Sequence, residues 1–322
     1  MPSLPHPAPA PRVVVTGASG TLGRHVVEQL TGRGPVLALV RPGGRTVEPT
    51  EGVTVVEVER LDRAALGVVL GRFAPTALVH CAATGTEFPR PRWFDMIRFN
   101  VDVTVDLCAA VAAIPGCHFV YVGTGLAYRE QGRPLREDDP LDTLHPYGAS
   151  KAAADLLVRA AAAEFGAPLT VLRPFSFTGP GDDRTRLFAT LLRGAAEGRP
   201  VPLTVGTQVR DHCSARDIAA GIVAALDHPP APGDPAAVYN LGSGDPTPLR
   251  ALLEGIVAAL GMDVTLDFGA RPFGRFEPQH LQADISRART ELGWAPRHPL
   301  AHAVWQLARE SFPGLRVNEP LA

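Results

Sequence analysis

Three consecutive valines, Val13-Val14-Val15, run through Thr16 into a turn punctuated by glycine, Gly17-Ala18-Ser19-Gly20-Thr21-Leu22-Gly23, and on into a stretch of helical periodicity ending at Leu30. No other feature restricts the fold as strongly. A strand that is apolar on both faces has to be covered on both faces, which selects a parallel sheet with helices above and below it. The glycines let the backbone leave the strand in a tight turn and re-enter as a helix whose first N–H groups stay bare. A pyrophosphate fits there, with Gly17, Ser19, Gly20, Thr21, Leu22 and Gly23 around it. The spacing is G-x-x-G-x-x-G, and no lysine lies in the turn, which argues against a phosphoryl-transfer loop.

The same rhythm continues along the chain. Strand-like runs at 36–40, 53–58, 77–81, 119–122, 169–172 and 238–241 alternate with helical patterns at 21–30, 62–71, 93–113, 147–166 and 214–227. The expected fold class is α/β, a Rossmann-type doubly wound parallel sheet. Residues 12–175 form its dinucleotide-binding domain, completed by 211–261. Segments 176–210 and 262–315 are richer in Pro, Gly and Arg and read as a smaller substrate-binding lobe. Residues 1–11 form a proline-rich tail that lacks the apolar core of a signal peptide.

Composition removes several function classes. A formal net charge of −2 and few aromatics give no footprint for nucleic acid. No apolar run is long enough to span a bilayer, so no membrane partner is expected and the protein is placed in the cytoplasm. The four cysteines (Cys81, Cys108, Cys117 and Cys213) show neither C-x-x-C nor a metal-ligand spacing, so no metal is expected.

Basic residues are almost all arginine: of 31, only Lys151 is lysine. It follows Tyr147 by four residues in His145-Pro146-Tyr147-Gly148-Ala149-Ser150-Lys151, so the two share one face of a helix. An ammonium is a compact point charge where a guanidinium is a wide planar fork, and a point charge is what holds a phenol in a form able to exchange its proton. A free tyrosine titrates near 10, so working at neutrality requires about 4 kcal/mol. One ammonium about 4 Å away, at an effective dielectric near 20, supplies roughly that much.

The end of the second strand bears on the choice of cofactor. An NAD site usually offers an acid there to the ribose 2′-hydroxyl. This chain offers Val40-Arg41-Pro42-Gly43-Gly44-Arg45, with no carboxylate in reach. Ser19, Arg41 and Arg45 could instead surround a 2′-phosphate, which favours NADP(H) and leaves NAD(H) as the alternative.

With the glycine turn and Tyr147-x-x-x-Lys151 both in place, the chain resembles the extended short-chain dehydrogenase/reductases, and within them the nucleotide-sugar epimerase/dehydratase branch. His80-Cys81-Ala82-Ala83 resembles the His-x-Ala-Ala turn beside the cofactor. Asn100-Val101-Asp102-Val103-Thr104 resembles Asn-Val-x-Gly-Thr, with Val103 where glycine is common. Tyr121-Val122-Gly123-Thr124 resembles the strand ending in a catalytic Ser/Thr. Leu172-Arg173-Pro174-Phe175-Ser176 is similar to L-R-P-F-N, and Arg210-Asp211 resembles a pair whose arginine grips a diphosphate. Ala283-Asp284-Ile285-Ser286 and Glu291-Leu292-Gly293-Trp294 resemble the branch's C-terminal signature.

The resemblance implies a catalytic set of Thr124, Tyr147 and Lys151. It implies further cofactor contacts from Glu59, Arg60, Ala82, Ala83, Asn100 and Pro174. For substrate it implies Thr84, Thr124, Ser176 and Arg210, with Arg271 and Arg275 both candidates for a second diphosphate arginine. It also implies a nucleotide-diphosphate sugar as substrate, and a homodimer built on 93–113 and 147–166, the first carrying Trp93, Phe94, Met96, Ile97 and Phe99. Related dehydratases resemble Thr-Asp-Glu where this chain has Thr124-Gly125-Leu126, and glycine and leucine move no protons. The expected activity is NADPH-dependent reduction of a keto group, at C4, of a nucleotide-diphosphate deoxyhexose. An NAD-dependent 4-epimerase is the alternative; a non-sugar ketoreductase and a non-catalytic NADP sensor stand behind it.

Overall fold

A computed structural model describes residues 10–45, 47–85, 93–231, 234 and 236–320. The first half runs β1 (Val13–Thr16), α1 (Thr21–Leu30), β2 (Val36–Val40), β3 (Val53–Glu57), α2 (Arg63–Phe73), β4 (Ala77–His80), α3 (Trp93–Met96), α4 (Val103–Ala112), β5 (His118–Val122), α5 (Pro146–Phe165) and β6 (Leu169–Pro174). There follow β7 (Ser176–Thr178), α6 (Leu187–Glu197), β8 (Val201–Leu203), β9 (Val209–Arg210), β10 (His212–Ser214) and α7 (Ala215–Leu226). The chain ends with β11 (Ala237–Leu241), α8 (Leu249–Leu260), β12 (Leu266–Phe268), β13 (His280–Leu281), α9 (Ser286–Glu291) and α10 (Leu300–Ser311).

Seven parallel strands make the central sheet in the order β11-β6-β5-β4-β1-β2-β3. The valines of β1 show why it is parallel and covered twice. Val13 and Val15 join the core shared with α1 and α7, while Val14 joins the opposite core with α2, α4 and α5. Strand order reverses between β1 and its neighbours β2 and β4, so the turn after β1 opens at the sheet's switch point, where such folds bind ligands.

Two expectations change. The helix expected over 93–113 is split: a π turn at Ile97–Asp102 separates α3 from α4. This widened turn carries Asn100, whose side chain is bonded to Thr84 and Ser150 on neighbouring segments. Such insertions cluster at functional sites.

The division of the second half is also different. α8, expected with the sheet, packs its Leu253, Ile256 and Leu260 into a third core with α6 and α10. Conversely, Leu281, Ala283, Ile285, Ala288, Leu292 and Trp294, expected in the lobe, belong to the core around β1 and α7. The Trp294 indole N–H donates to the Asp217 carbonyl at 2.9 Å, fixing that return. Apolar periodicity marks the buried face of an element and does not name the core it enters.

Candidate active site

The glycine turn is built by contact as well as by conformation. Gly17 has φ +65, and a Cβ there would lie 2.7 Å from the Ala82 backbone. A Cβ on Gly23 would overlap the Gly17 carbonyl oxygen. Gly20 is exposed and stands at the N-cap of α1, which has no side-chain cap and no acid in its first turn. Its leading N–H groups are therefore left for an anion, and a dinucleotide pyrophosphate fits this cradle. Ser19 is half-buried and Leu22 is buried beside it. The Thr21 hydroxyl donates to the Gly181 carbonyl at 2.9 Å, and the Arg45 guanidinium reaches the same oxygen.

At the end of β2, Arg41 is exposed and makes no side-chain hydrogen bond or ion pair among the described residues. The sheet register sets beside the end of β2 a carboxylate that the sequence did not indicate. Val40 pairs with Glu57 of β3, and strand alternation puts Glu57 on the same face as Val53 and Val55, the face of the α1 core. Glu59 and Arg60 lie on the exposed turn before α2, where Arg60 pairs with Asp62 at 3.1 Å.

The catalytic candidates come from β5 and α5. Thr124 follows β5 and is buried; its hydroxyl oxygen accepts from the Leu126 N–H at 3.2 Å, leaving its own hydrogen to donate. α5 begins with Pro146 at its first position and His145 capping the Gly148 N–H at 3.3 Å. This start sets Tyr147 and Lys151 one turn apart on one face, and Gly85 of the loop after β4 packs on the Tyr147 ring. Lys151 is 1% exposed, with Nζ 4.3 Å from the centre of the Tyr121 ring. Its ammonium has no hydrogen-bond acceptor among the described residues. Burial holds it down to about 7, against an upward pull from Cys81 and Asp155. A buried cation lacking an acceptor is suited to the hydroxyls of a bound ribose.

Several candidates turn out to support one another. Asn100 is fully buried: Nδ2 donates to the Thr84 carbonyl (2.8 Å) and Ser150 Oγ (2.9 Å), and Oδ1 accepts from the Thr84 N–H (2.9 Å). It ties the loop bearing Ala82, Ala83 and Thr84 to α5, which carries Tyr147 and Lys151. His80 is a satisfied buried histidine, held between Thr16 (2.7 Å) and Thr104 (3.1 Å).

On the substrate side, Pro174 closes β6, and Ser176 opens β7 half-buried. Arg210 lines a cavity of about 310 Å³ with His212, Ser243, Thr247, Arg297 and His298. It pairs with Glu277 at 3.3 Å, a partner the sequence did not indicate. Its neighbour Asp211 is fully buried and accepts from the N–H groups of Ser243 (2.6 Å), Gly244 (2.8 Å) and Ala283 (3.0 Å), so it anchors the strand that presents Arg210. Arg271 and Arg275 are both exposed, Arg275 lying over Phe276 at 5.2 Å. Gly125 is fixed by Phe175: a Cβ at 125 would come within 2.8 Å of that ring, so an acid beside Thr124 has no room.

Sequence reasoning also passed over the Asp155–Arg173 pair behind Lys151. The i,i+4 spacing of Lys151 and Asp155 was the available signal. Among the described residues no group of three or more His, Cys, Asp or Glu could hold a metal ion, and no helix is long and apolar enough to cross a membrane.

A Rossmann-type sheet with a glycine cradle at its switch point and a buried lysine one turn from a tyrosine defines a nicotinamide-dependent oxidoreductase of the short-chain type. More narrowly, the model of the NAD dependent epimerase/dehydratase family matches residues 13–242, and the chain belongs to that family. It is 29% identical to a UDP-glucose 4-epimerase of Azospirillum brasilense over 90% of this chain and 89% of that one. It is 31% identical to a dTDP-6-deoxy-L-talose 4-dehydrogenase (NAD(P)(+)) of Kitasatospora kifunensis, covering 95% and 96%. The solved structure of UDP-glucuronic acid 4-epimerase from Bacillus cereus, in complex with UDP-glucuronic acid and NAD, superposes with TM-score 0.79 at 25% identity, covering 93% and 98%.

Proposed function

We propose that the protein reduces the C4 keto group of a nucleotide-diphosphate deoxyhexose, with NADPH as donor. The observation that carries this reading over the epimerase is Arg41, exposed at the end of β2 and without a side-chain hydrogen bond or ion pair among the described residues, where it can meet a 2′-phosphate. Gly17, Ser19 and Gly20 would hold the pyrophosphate, Arg41 the adenosine 2′-phosphate, and Lys151 the nicotinamide ribose. A bound nicotinamide supplies the hydride that no side chain can. Tyr147 delivers its phenolic proton to the substrate oxygen, and the Thr124 hydroxyl donates to the same oxygen and orients it. Lys151 stabilises the phenolate left behind. Arg210 holds the diphosphate after exchanging Glu277 for phosphate oxygens. Elimination of water needs a further acid and base, and the Gly125–Phe175 contact leaves none beside Thr124. Similarity to the talose 4-dehydrogenase supports a deoxyhexose and the C4 position.

A 4-epimerase is the second reading. It is favoured by Glu57 beside Val40, which could accept from a ribose 2′-hydroxyl, and by similarity to UDP-glucose 4-epimerases. The exposed Trp93, Phe94 and Ile97 on α3 and its π turn, with Leu156 and Leu157 on α5, support a dimer through these helices. The deciding experiment presents the purified protein with NADPH and a nucleotide-diphosphate 4-keto-6-deoxyhexose. Stoichiometric NADPH consumption is expected. Retention of NAD through purification, with interconversion of UDP-glucose and UDP-galactose and no net NADPH loss, would replace the reductase by the epimerase.

A further inference from the structure

Behind Lys151 the molecule buries a second pair of opposite charges. Arg173 and Asp155 are each 1% exposed. Arg173 Nε and Nη2 donate to the two Asp155 oxygens at 2.8 and 3.2 Å, while Nη1 donates to Tyr128 Oη (2.7 Å) and the Glu137 carbonyl (2.9 Å). Asp155 also accepts from Arg159 Nε at 2.9 Å. The network continues from Tyr128 Oη to Asn240 Oδ1 at 2.7 Å, and from the Asn240 N–H to Glu137 Oε1 at 2.9 Å.

This arrangement joins the segments that carry the catalytic groups. Tyr128 lies four residues beyond Thr124, Asp155 one turn beyond Lys151, and Arg173 three residues before Ser176. An ion pair buried this deeply often contributes less stability than a well-packed apolar pair would, so stability alone is weak ground for its presence.

We propose that Asp155, locked in place by Arg173 one helical turn beyond Lys151, is a positioning residue for hydride transfer: it keeps the Lys151 ammonium charged. The inference rests on the reading of Tyr147 and Lys151 as the reacting pair. The groups facing Lys151 leave Asp155 as its anion. From the end of β4, burial pushes the Cys81 thiol up to about 12 and holds His80 well below its ordinary value, so at neutral pH both are uncharged. From β5, burial pushes the Tyr121 phenol well up, and it offers only its π face. From α5 itself come Tyr147, whose proton the reaction uses, and Asp155. Burial works against the charge on Lys151, and among these groups Asp155 is the carboxylate that opposes it.

The chain contains a single lysine, so ¹⁵N-lysine labelling gives one Nζ resonance whose titration reads Lys151 directly. In the cofactor-free wild type it should titrate near 7. In Asp155→Asn the acid constant should rise by about tenfold or more, one decade per pKa step. Asp155→Glu should return it toward the wild-type value. In turnover, kcat of Asp155→Asn should fall sharply at pH 8 and little at pH 6, so that its alkaline limb moves to lower pH. An unmoved Nζ titration, or a kcat reduced by the same factor at every pH, would overturn the proposal and leave Asp155 a structural residue. Should Asp155→Asn fail to fold, Asp155→Leu/Arg173→Met removes both charges together and is read the same way. Full activity of Lys151→Met would instead remove the parent reading, whatever the titration showed.

Discussion

Replacing Lys151 by methionine should stabilise the protein while nearly abolishing its activity. Holding this ammonium at about 7 in place of its ordinary 10.5 corresponds to about 5 kcal/mol of burial cost. Methionine has similar length and no charge, and Asp155 keeps Arg173 and Arg159 as partners, so no carboxylate is orphaned. That figure is already net of the attraction to Asp155, so only the lost contact over Tyr121 reduces the gain, leaving a net stabilisation of about 3 kcal/mol below pH 7. The sign follows from proton counting. Between pH 7 and 10.5 the unfolded chain binds the lysine proton more tightly than the native one, so wild-type stability rises with pH through that window. The lysine's burial cost is present in full below pH 7. The methionine variant lacks this dependence, and the wild-type-minus-variant difference cancels every other group. Cofactor-free thermal melts at pH 6.5, 7.5 and 8.5 should show the variant higher at pH 6.5, with the gap narrowing by about 2 kcal/mol by pH 8.5. Hydride transfer should slow by about a thousandfold, equivalent to the roughly 4 kcal/mol that the ammonium supplies to the phenol. A variant that melts lower than wild type with unchanged pH dependence, or that turns over normally, would refute the account of Lys151.

Arg210→Ala should raise the KM for the sugar nucleotide by about 10- to 100-fold, since a charge-assisted contact is worth roughly 1.5–3 kcal/mol. Cofactor affinity should be unchanged, and unaltered substrate binding in calorimetry would remove the diphosphate assignment. Leu157→Glu places a charge beside Leu156 on the exposed apolar surface of α5. It should convert a dimer into a monomer in sedimentation analysis, and a wild-type monomer at micromolar concentration would dispose of the dimer outright.

How much of the molecule was legible depended on whether the signal was local. The strand–turn–helix at 13–30 was legible because three valines and three glycines within eleven residues carry the signal in one local stretch, even though Gly17 is also required by the distant Ala82 backbone; the helix over Thr21–Leu30 occurs as read. The split of 93–113 was not. A π turn inserts without changing apolar periodicity, and its motive is a set of bonds from Asn100 to residues 16 and 50 positions away. The residues of α8, assigned with 211–261 to the sheet's domain, enter a different core, because an amphipathic pattern is silent about its partner.

The same distinction governs the site. Tyr147 and Lys151 share a helix face, so a four-residue spacing was enough to bring them together. Glu57 and Val40 are 17 residues apart, and only the parallel register of β2 with β3 sets a carboxylate beside the end of β2. Cofactor choice therefore rests on two opposed features, the exposed Arg41 and the adjacent Glu57. Arg41→Ala should weaken NADPH and spare NADH, while Glu57→Gln should do the reverse only if its carboxylate reaches the ribose. A cofactor preference that moves with Arg41 and ignores Glu57 is the outcome that the reductase reading requires.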